Sequence, residues 1–317
     1  MSSRYGRSNP LLTRLSVDRR NAADGYIAEF VAPSLVDTSK SFGEYYVFDE
    51  KNNMKNPDNR KADGGVSREI VLAASTDNYK TEQYGSRAWY TQKEINDFGN
   101  ESMLREAKMN MVTDADMVSH ELRVAGIVTN AGSYASANKV TLDNTSNKYQ
   151  WDDYVNSDPF LNVTNGIKAV HGGDGVDANA MVVSYDIHHA LKRHPDILSR
   201  MQAQGIASGL EDVTARKIGE LFGLEYRVAK AQYVSSDEGQ STVTKSYAWG
   251  DFALIFHRNP TPAKMSISLA YNFTYQDFQF RTYYKEESKR FYVDNDHDCV
   301  TKLVAPSVGY LISDVLS

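Results

Sequence analysis

His188, His189 and His194 stand close together in the chain, and imidazole is both a common metal ligand and the usual acid–base group near neutral pH. A metal-binding helix wants histidines four apart on one face, often with a carboxylate. Spacings of one, five and six residues do not supply that, so these read as surface or half-buried histidines. Ser119, His120 and Glu121 have the residue types of a hydrolytic triad, but consecutive residues on a helix point in different directions and cannot converge. Cys299 is the single cysteine and lies in a strand-like segment beside His297 and Asp298. It reads as a buried thiol rather than a nucleophile. One cysteine excludes an intrachain disulfide and a cysteine-based zinc cluster. Gly172-Gly173-Asp174-Gly175 lacks the dinucleotide-binding spacing and reads as a turn. No phosphate loop of the Gly-Lys-Ser/Thr kind occurs, and the carboxylates are spread along the chain. The expectation is therefore no catalytic residue, no metal ligand and no cofactor.

Chemistry that absent shifts attention to surfaces. The 317 residues are 41% apolar and 24% charged, an ordinary balance for a chain with a core. The net charge of −6 argues against a basic nucleic-acid clamp. No apolar run reaches the roughly 18 residues of a membrane span, and the polar start Met1-Ser2-Ser3-Arg4-Tyr5-Gly6 does not read as a signal peptide. Tyrosine is abundant, with 20 residues. Tyr can lie half buried with its hydroxyl wet, which suits contact surfaces.

Residues 1–40 show no clear period, and Arg4, Arg7, Arg14, Arg19 and Arg20 face only Asp18 in the first twenty positions. That segment reads as an arm or a tail. Residues 42–48 and 68–74 look like strands joined by a polar loop carrying Lys51, Lys55, Arg60 and Lys61. A two-stranded hairpin this polar is marginal alone and must lean on a neighbour. Thr91-Gln92-Lys93-Glu94 fits a capping box. After a weak point at Gly99, Leu104, Ala107, Met111, Ala115, Val118, Leu122 and Ala125 form an amphipathic stripe, predicting a helix buried on that side. Residues 130–156 read as loop and short strands. Strand 180–184, a helix 186–194 ending before Pro195, and a helix 213–222 capped by Asp212 and ended by Gly223 follow. Residues 224–234 and 246–256 are strand-like. From Met265 to Tyr275 apolar and polar residues alternate as in a half-buried strand, with a phase flip after Asp277 that predicts a bulge. Further strands are expected at 290–294 and 299–304.

This order of elements, with five motifs, resembles the major capsid proteins of tailed bacteriophages, which share the Hong Kong 97 type of fold. The motifs are Glu121-Leu122-Arg123-Val124-Ala125-Gly126-Ile127-Val128-Thr129-Asn130; Met181-Val182-Val183-Ser184-Tyr185-Asp186 with Leu191-Lys192-Arg193-His194-Pro195-Asp196-Ile197-Leu198; Ile218-Gly219-Glu220-Leu221-Phe222-Gly223-Leu224; Tyr247-Ala248-Trp249-Gly250; and Leu303-Val304-Ala305-Pro306-Ser307-Val308-Gly309-Tyr310-Leu311-Ile312. They run from about residue 40 to the C-terminus. The resemblance implies an α+β, Hong Kong 97-like capsid fold. Residues 1–40 would be the N-terminal arm, 41–90 the extended hairpin loop, and 91–165 the peripheral domain with its long spine helix. Residues 166–262 would be the axial domain and 263–317 the return strands of the peripheral domain.

The function it implies is that of a structural subunit, not an enzyme. It would self-assemble as hexamers and pentamers into an icosahedral head enclosing double-stranded DNA, without sequence-specific binding. Some members of the family carry a helical scaffolding segment ahead of the arm that this sequence does not show, so scaffolding, if needed, would come from a separate protein, with portal and decoration proteins as further candidate partners. No membrane contact is expected. The location would be the virion, and the host cytoplasm during assembly. In the family the hairpin lies across a neighbouring subunit, so Lys51, Lys55, Arg60 and Lys61 become candidate inter-subunit contacts. An encapsulin-type nanocompartment shell enclosing cargo protein is the alternative on the same fold. An enzyme or a carbohydrate-binding module is the more distant one.

Overall fold

The computed structural model describes residues 25–37, 40–48, 60, 61, 63, 65, 74–145, 148–206, 209–236, 242, 244–262 and 266–317. The chain begins there with a short helix α1 (Ala28–Val31) and strand β1 (Ser34–Val36). Strands β2 (Phe42–Phe48) and β3 (Ala74–Lys80) form an antiparallel hairpin, with Phe42 opposite Lys80 and Phe48 opposite Ala74. The first strand was expected. Its described partner is the polar stretch 74–80, and residues 68–73 of the expected return strand lie outside the described residues.

Strand β4 (Glu82–Thr91) feeds directly into α2 (Gln92–Phe98) through the expected capping box: Thr91 accepts from the Glu94 N–H, and Glu94 accepts from the Thr91 N–H. Gly99 then adopts φ 76°, the left-handed conformation that ends a helix and that glycine takes without strain. Asn100 caps the next helix by accepting from the Ser102 and Met103 N–H groups. That helix, α3 (Glu101–Val128), runs 28 residues, about 42 Å at helical rise.

Beyond it come β5 (Lys139–Thr141), α4 (Pro159–Asp174), β6 (Ala180–Ser184), α5 (Tyr185–Arg193), α6 (Pro195–Ala203), α7 (Ala215–Phe222) and β7 (Glu225–Ala229). The small hairpin β8 (Gln232–Val234) and β9 (Lys245–Tyr247) leads to β10 (Phe252–Phe256). The chain closes with β11 (Ala270–Lys285), β12 (Arg290–Leu303) and β13 (Gly309–Ser313). Several expectations need correction, among them the stretches 224–234 and 246–256, each of which is two strands, and the strand expected from Met265, which begins at Ala270. Helix α4 runs through Gly172 and Gly173, so only Gly175 turns. Helix α7 is capped by Thr214, while Asp212 pairs with Lys217 at 2.8 Å. The two strands expected at 290–294 and 299–304 are one strand.

Two larger sheets organise these elements. The five-stranded sheet has the order β5-β13-β10-β6-β7. Every residue of β6 and of β13 is buried, because helices cover this sheet and its apolar runs have no wet face. Its core includes Met181, Val183, Ile255, Leu311 and Ile312. Gly166 of α4 allows close packing there, since a Cβ would sit 2.6 Å from Ile255 Cδ1. The four-stranded sheet has the order β1-β11-β12-β4. Its register shifts between Thr274 and Gln279 place the expected bulge where the apolar phase flips. The first half of α3 packs on this sheet through Leu104, Met109, Val112, Tyr90, Phe280 and Val293. Its last turns, with Val124, Ala125 and Val128, join the larger core.

Candidate assembly surface

Helix α3 presents the clearest difference between expected and observed burial. Met109 is 2% exposed and Met111 64%. Ala107 and Ala115 are also exposed, and Val118 and Leu122 only partly covered. The buried stripe runs instead through Leu104, Met109, Val112, Met117, Val124 and Val128, with Thr113, Asp116, His120 and Glu121 in its middle. The apolar seam read from the sequence is thus buried only at its ends, Leu104 and Ala125, while Ala107, Met111 and Ala115 in its middle face away from the subunit's own core. Met103 and Met111 stand outward as large apolar side chains.

Thr113 donates its hydroxyl to the Met109 carbonyl of the same helix, while Asp116 and Glu121 find their partners on distant segments. Asp116 accepts hydrogen bonds from Ser86 Oγ and Asn295 Nδ2, and burial pushes its carboxyl above the usual range. Arg123 lies 3.7 Å from the centre of the Tyr84 ring and 3.1 Å from His297 Nε2. Glu121 accepts from Trp249 Nε1–H at 2.5 Å and from the Ala28 N–H at 2.6 Å. Ser119 is exposed on the other side of the helix. The three neighbours therefore diverge, as their spacing requires.

The remaining chemical candidates are dispersed in the same way. His194 is fully buried. Its Nδ1 accepts from the Asp196 N–H and its Nε2 faces Ser157 Oγ at 3.0 Å, so it caps α6 as a neutral ring with the proton on Nε2. His188 meets the Tyr226 hydroxyl at 3.1 Å, and burial, with repulsion from His189, pushes its pKa down to about 4. Cys299 is buried. Among the described residues no group of three or more His, Cys, Asp or Glu is placed to hold a metal ion. A groove of about 740 Å³ beside α7 and β7 is lined by Arg216, Glu220, Glu225 and Arg227. These pair with one another at 3.1 and 2.9 Å, which leaves no convergent acid–base set.

The β2–β3 hairpin is attached to the body through one face. Tyr79 stacks on Phe273 with ring centres 4.2 Å apart, and Tyr45 lies 5.3 Å from the same ring. With Tyr271 and Val304 they form a small separate core. The Tyr45 hydroxyl donates to Asp77 at 2.7 Å. The opposite face leaves Phe42 64% exposed and Tyr46 exposed. Of the candidate contact residues, Arg60 and Lys61 are exposed in the loop between these strands. Lys51 and Lys55 lie outside the described residues, so the four are not seen as one cluster. Sequence reasoning missed the exposed apolar positions Trp89, Phe98, Met111, Val155 and Tyr284. Trp89 and Tyr284 lie in strands and look like core until the pairing is known.

An α+β subunit with two sheet-based cores, a long helix under one sheet and a hairpin reaching from its side is the Hong Kong 97-like architecture of shell proteins. Comparison with solved structures agrees. A phage-related protein from Bordetella bronchiseptica superposes with a TM-score of 0.77 at 19% identity, covering 98% of this chain and 99% of that one. The capsid of cyanophage P-SCSP1u gives 0.57 at 10% identity, over 90% and 87%. A virus-like particle from Pyrococcus furiosus gives 0.57 at 12% identity, over 95% and 98%. No protein-family profile matches the chain.

Sequence relatives narrow the class to a particular kind of shell protein. The major capsid protein of Pseudomonas phage JBD67 is 25% identical over 252 residues, 79% of this chain and 77% of that protein. The major capsid protein of Burkholderia phage BcepMu is 28% identical over 137 residues, 43% and 41%. The chain is thus similar to phage major capsid proteins in sequence, and to phage shell proteins in fold along nearly its whole length.

Proposed function

We propose that this protein is the major capsid protein of a tailed phage, a structural subunit that self-assembles into an icosahedral head around double-stranded DNA. The carrying observation is the sequence match to a phage major capsid protein over 79% of the chain, joined to a fold match over 98%. Residues 1–40 then serve as the N-terminal arm and 41–90 as the extended hairpin loop. Residues 91–165 form the peripheral domain around α3, 166–262 the axial domain, and 263–317 the returning strands. Physical support comes from what the isolated subunit leaves uncovered: Phe42 and Tyr46 on the hairpin, and Met103 and Met111 on α3. Contacts repeated around symmetry axes would bury them. The role is structural rather than catalytic.

Hexamers and pentamers are the working units on this reading, with a separate scaffolding protein, a portal and decoration proteins as partners. Arg60 and Lys61, with Lys51 and Lys55, would meet acidic side chains of the adjacent subunit. The shell would be part of the virion, assembled in the host cytoplasm. The encapsulin alternative draws on fold likeness alone, whereas the sequence relatives are phage capsid proteins. Negative-stain microscopy of the protein with its native lysate separates these outcomes. Polyhedral heads, some filled with DNA, are expected. Small shells around a protein cargo would favour the encapsulin reading, and an absence of particles with every partner present would sink both.

A further inference from the structure

Helices α5 and α6 meet at one residue. His194 closes α5, its N–H donating to the Leu191 carbonyl, and it opens α6, with Pro195 as the first helical residue. Ser, Thr, Asp and Asn are the usual residues at such an N-cap, because a short side-chain oxygen reaches the free amides of the first turn. Here the acceptor is a ring nitrogen: Nδ1 takes the Asp196 N–H at 3.3 Å. The ring is fully buried.

The same ring reaches a second part of the chain. Its Nε2 lies 3.0 Å from Ser157 Oγ, on the turn 153–158 that leads into α4. The Ser157 hydroxyl has one proton, which it donates to the Asp153 carbonyl at 2.6 Å. Ser157 therefore accepts from the ring. The three bonds together fit one state of the imidazole, neutral with its proton on Nε2. An imidazolium donates from both nitrogens and accepts at neither. Its Nδ1–H would face the Asp196 N–H, and its charge would sit at the positive end of the α6 dipole. A charged ring in this covered site regains water only by leaving it. Leaving breaks both contacts and uncovers the Tyr154 ring, which packs edge-on to the imidazole at 5.7 Å.

We propose that His194 is an acid-released pin: in its neutral form it fastens the turn 153–158 to the corner between α5 and α6, and protonation ejects the ring and loosens both. The turn presents Tyr154 and Val155, 40% and 88% exposed, so release alters an apolar surface of the subunit. The pin is a property of the subunit and does not depend on shell formation.

The charged neighbours act on this balance without reversing it. Burial holds the His194 pKa below its ordinary value, and Asp196 on α6 and Asp158 before α4 only partly oppose that. Asp158 caps α4 by accepting from the Leu161 N–H. On the turn, Asp153 directs its carboxylate to the N–H groups of Val155 and Asn156. On α5, Arg193 is exposed and Lys192 partly so. On α6, Arg200 lies over the Phe160 ring of α4. A group whose pKa is depressed in the docked state adds stability that is whole above its undocked value and is lost as pH falls through the docked one. The pin therefore holds at neutral pH and weakens on acidification below 6.5.

Nitrogen-15 spectra of the histidine rings in the full-length subunit read the pin without any substitution. His194 should carry its proton on Nε2 at neutral pH and should titrate below the ordinary midpoint of 6.5. Hydrogen exchange, corrected for the intrinsic pH dependence, reads the release. The amides of residues 153–158 and 196–198 should lose protection as that titration proceeds, by no more than about tenfold per pH unit, the limit for one proton. Strands β6 and β10 should keep theirs over the same range. His194→Asn keeps an acceptor at the N-cap that does not titrate, so the step should vanish. An Nδ1–H tautomer at neutral pH, or a midpoint at or above 6.5, overturns the pin. So does an exchange step that does not follow the His194 titration, or one that persists unchanged in His194→Asn.

Discussion

The five-stranded sheet and the β2–β3 hairpin solve the same problem in opposite ways. Both are sheets with apolar side chains to bury. The larger sheet buries both faces of its inner strands within the subunit, and β6 and β13 have no exposed residue. The hairpin buries one face through two tyrosines on Phe273 and leaves Phe42 and Tyr46 in water. The first region is complete in one chain. The second has a root but no cover, an exposed apolar face of the kind that the proposed shell contacts would bury.

If that contrast is right, the largest effect belongs to the complete region. Val183 is fully buried in β6, and Val183→Asp places an unpaired charge there. It should cost more than about 4 kcal/mol and leave little soluble protein. Normal yield and an unchanged melting temperature would show that this sheet is not the stable body of the subunit.

Helix α3 offers an internal comparison next. Met109→Ala should destabilise by about 2–4 kcal/mol because it opens a cavity against Val112 and Phe280. Met111→Ala, on the outward side, should change the free subunit by less than about 0.5 kcal/mol, and its loss should appear in assembly instead. Denaturant melts with sedimentation of assembled particles check both. Equal destabilisation by the two variants would mean that the helix is covered all round.

At the hairpin root, Tyr79→Ala removes the stacked contact with Phe273, a pair that contributes about 0.5–1.5 kcal/mol beyond its buried area. The expected result is faster proteolysis of residues 42–80 with the body still folded. Cooperative loss of the whole subunit would refute the separation of the two regions.

A smaller effect is expected from the loop. Reversing both Arg60 and Lys61 to Glu should leave circular dichroism unchanged, since both are exposed. It should weaken assembly at low salt, with high salt narrowing the gap. Individual exposed pairs contribute about 0–1 kcal/mol, so only their repetition over a shell makes the change visible. Equal assembly by mutant and wild type at low salt would remove the loop from the interface. A separate effect concerns acid. His188 is held neutral by burial, with its pKa pushed down to about 4. Its contribution is whole above pH 6.5 and fades as pH falls toward 4, reduced by the partial exposure of the ring. His188→Gln should flatten the decline in melting temperature over that range.

What could be read from the sequence follows the same contrast. Local signals were legible: the Thr91–Glu94 capping box, the stop at Gly99, the helix ended before Pro195, the buried strand β6 and the bulge after Asp277. The phase of α3 was not. Its buried side carries Asp116, His120 and Glu121, so polarity pointed the wrong way. Such a stripe is decipherable only once Ser86, Asn295 and Trp249 are seen to supply partners. Strands β3 and β4 were hidden by Ser75, Thr76, Asp77 and Gln83, whose strand geometry comes from pairing rather than from apolar alternation. Helix α4 was hidden by Asn162, Thr164, Asn165 and the Gly172-Gly173 pair, poor helix formers held by packing. The outward apolar surface was partly legible, since the stripe through Ala107 and Met111 was recognised as apolar but assigned to the wrong side.

Hydrogen exchange compared between free subunits and assembled particles tests the central contrast most directly. The hairpin strands 42–48 and 74–80 and the outward side of α3 should gain strong protection on assembly. Residues 180–184 and 252–256, already protected, should change little. If protection instead rises evenly across both regions, or the hairpin exchanges as fast in particles as in free subunits, the hairpin is not completed by a neighbour and the shell-building account of this surface is wrong.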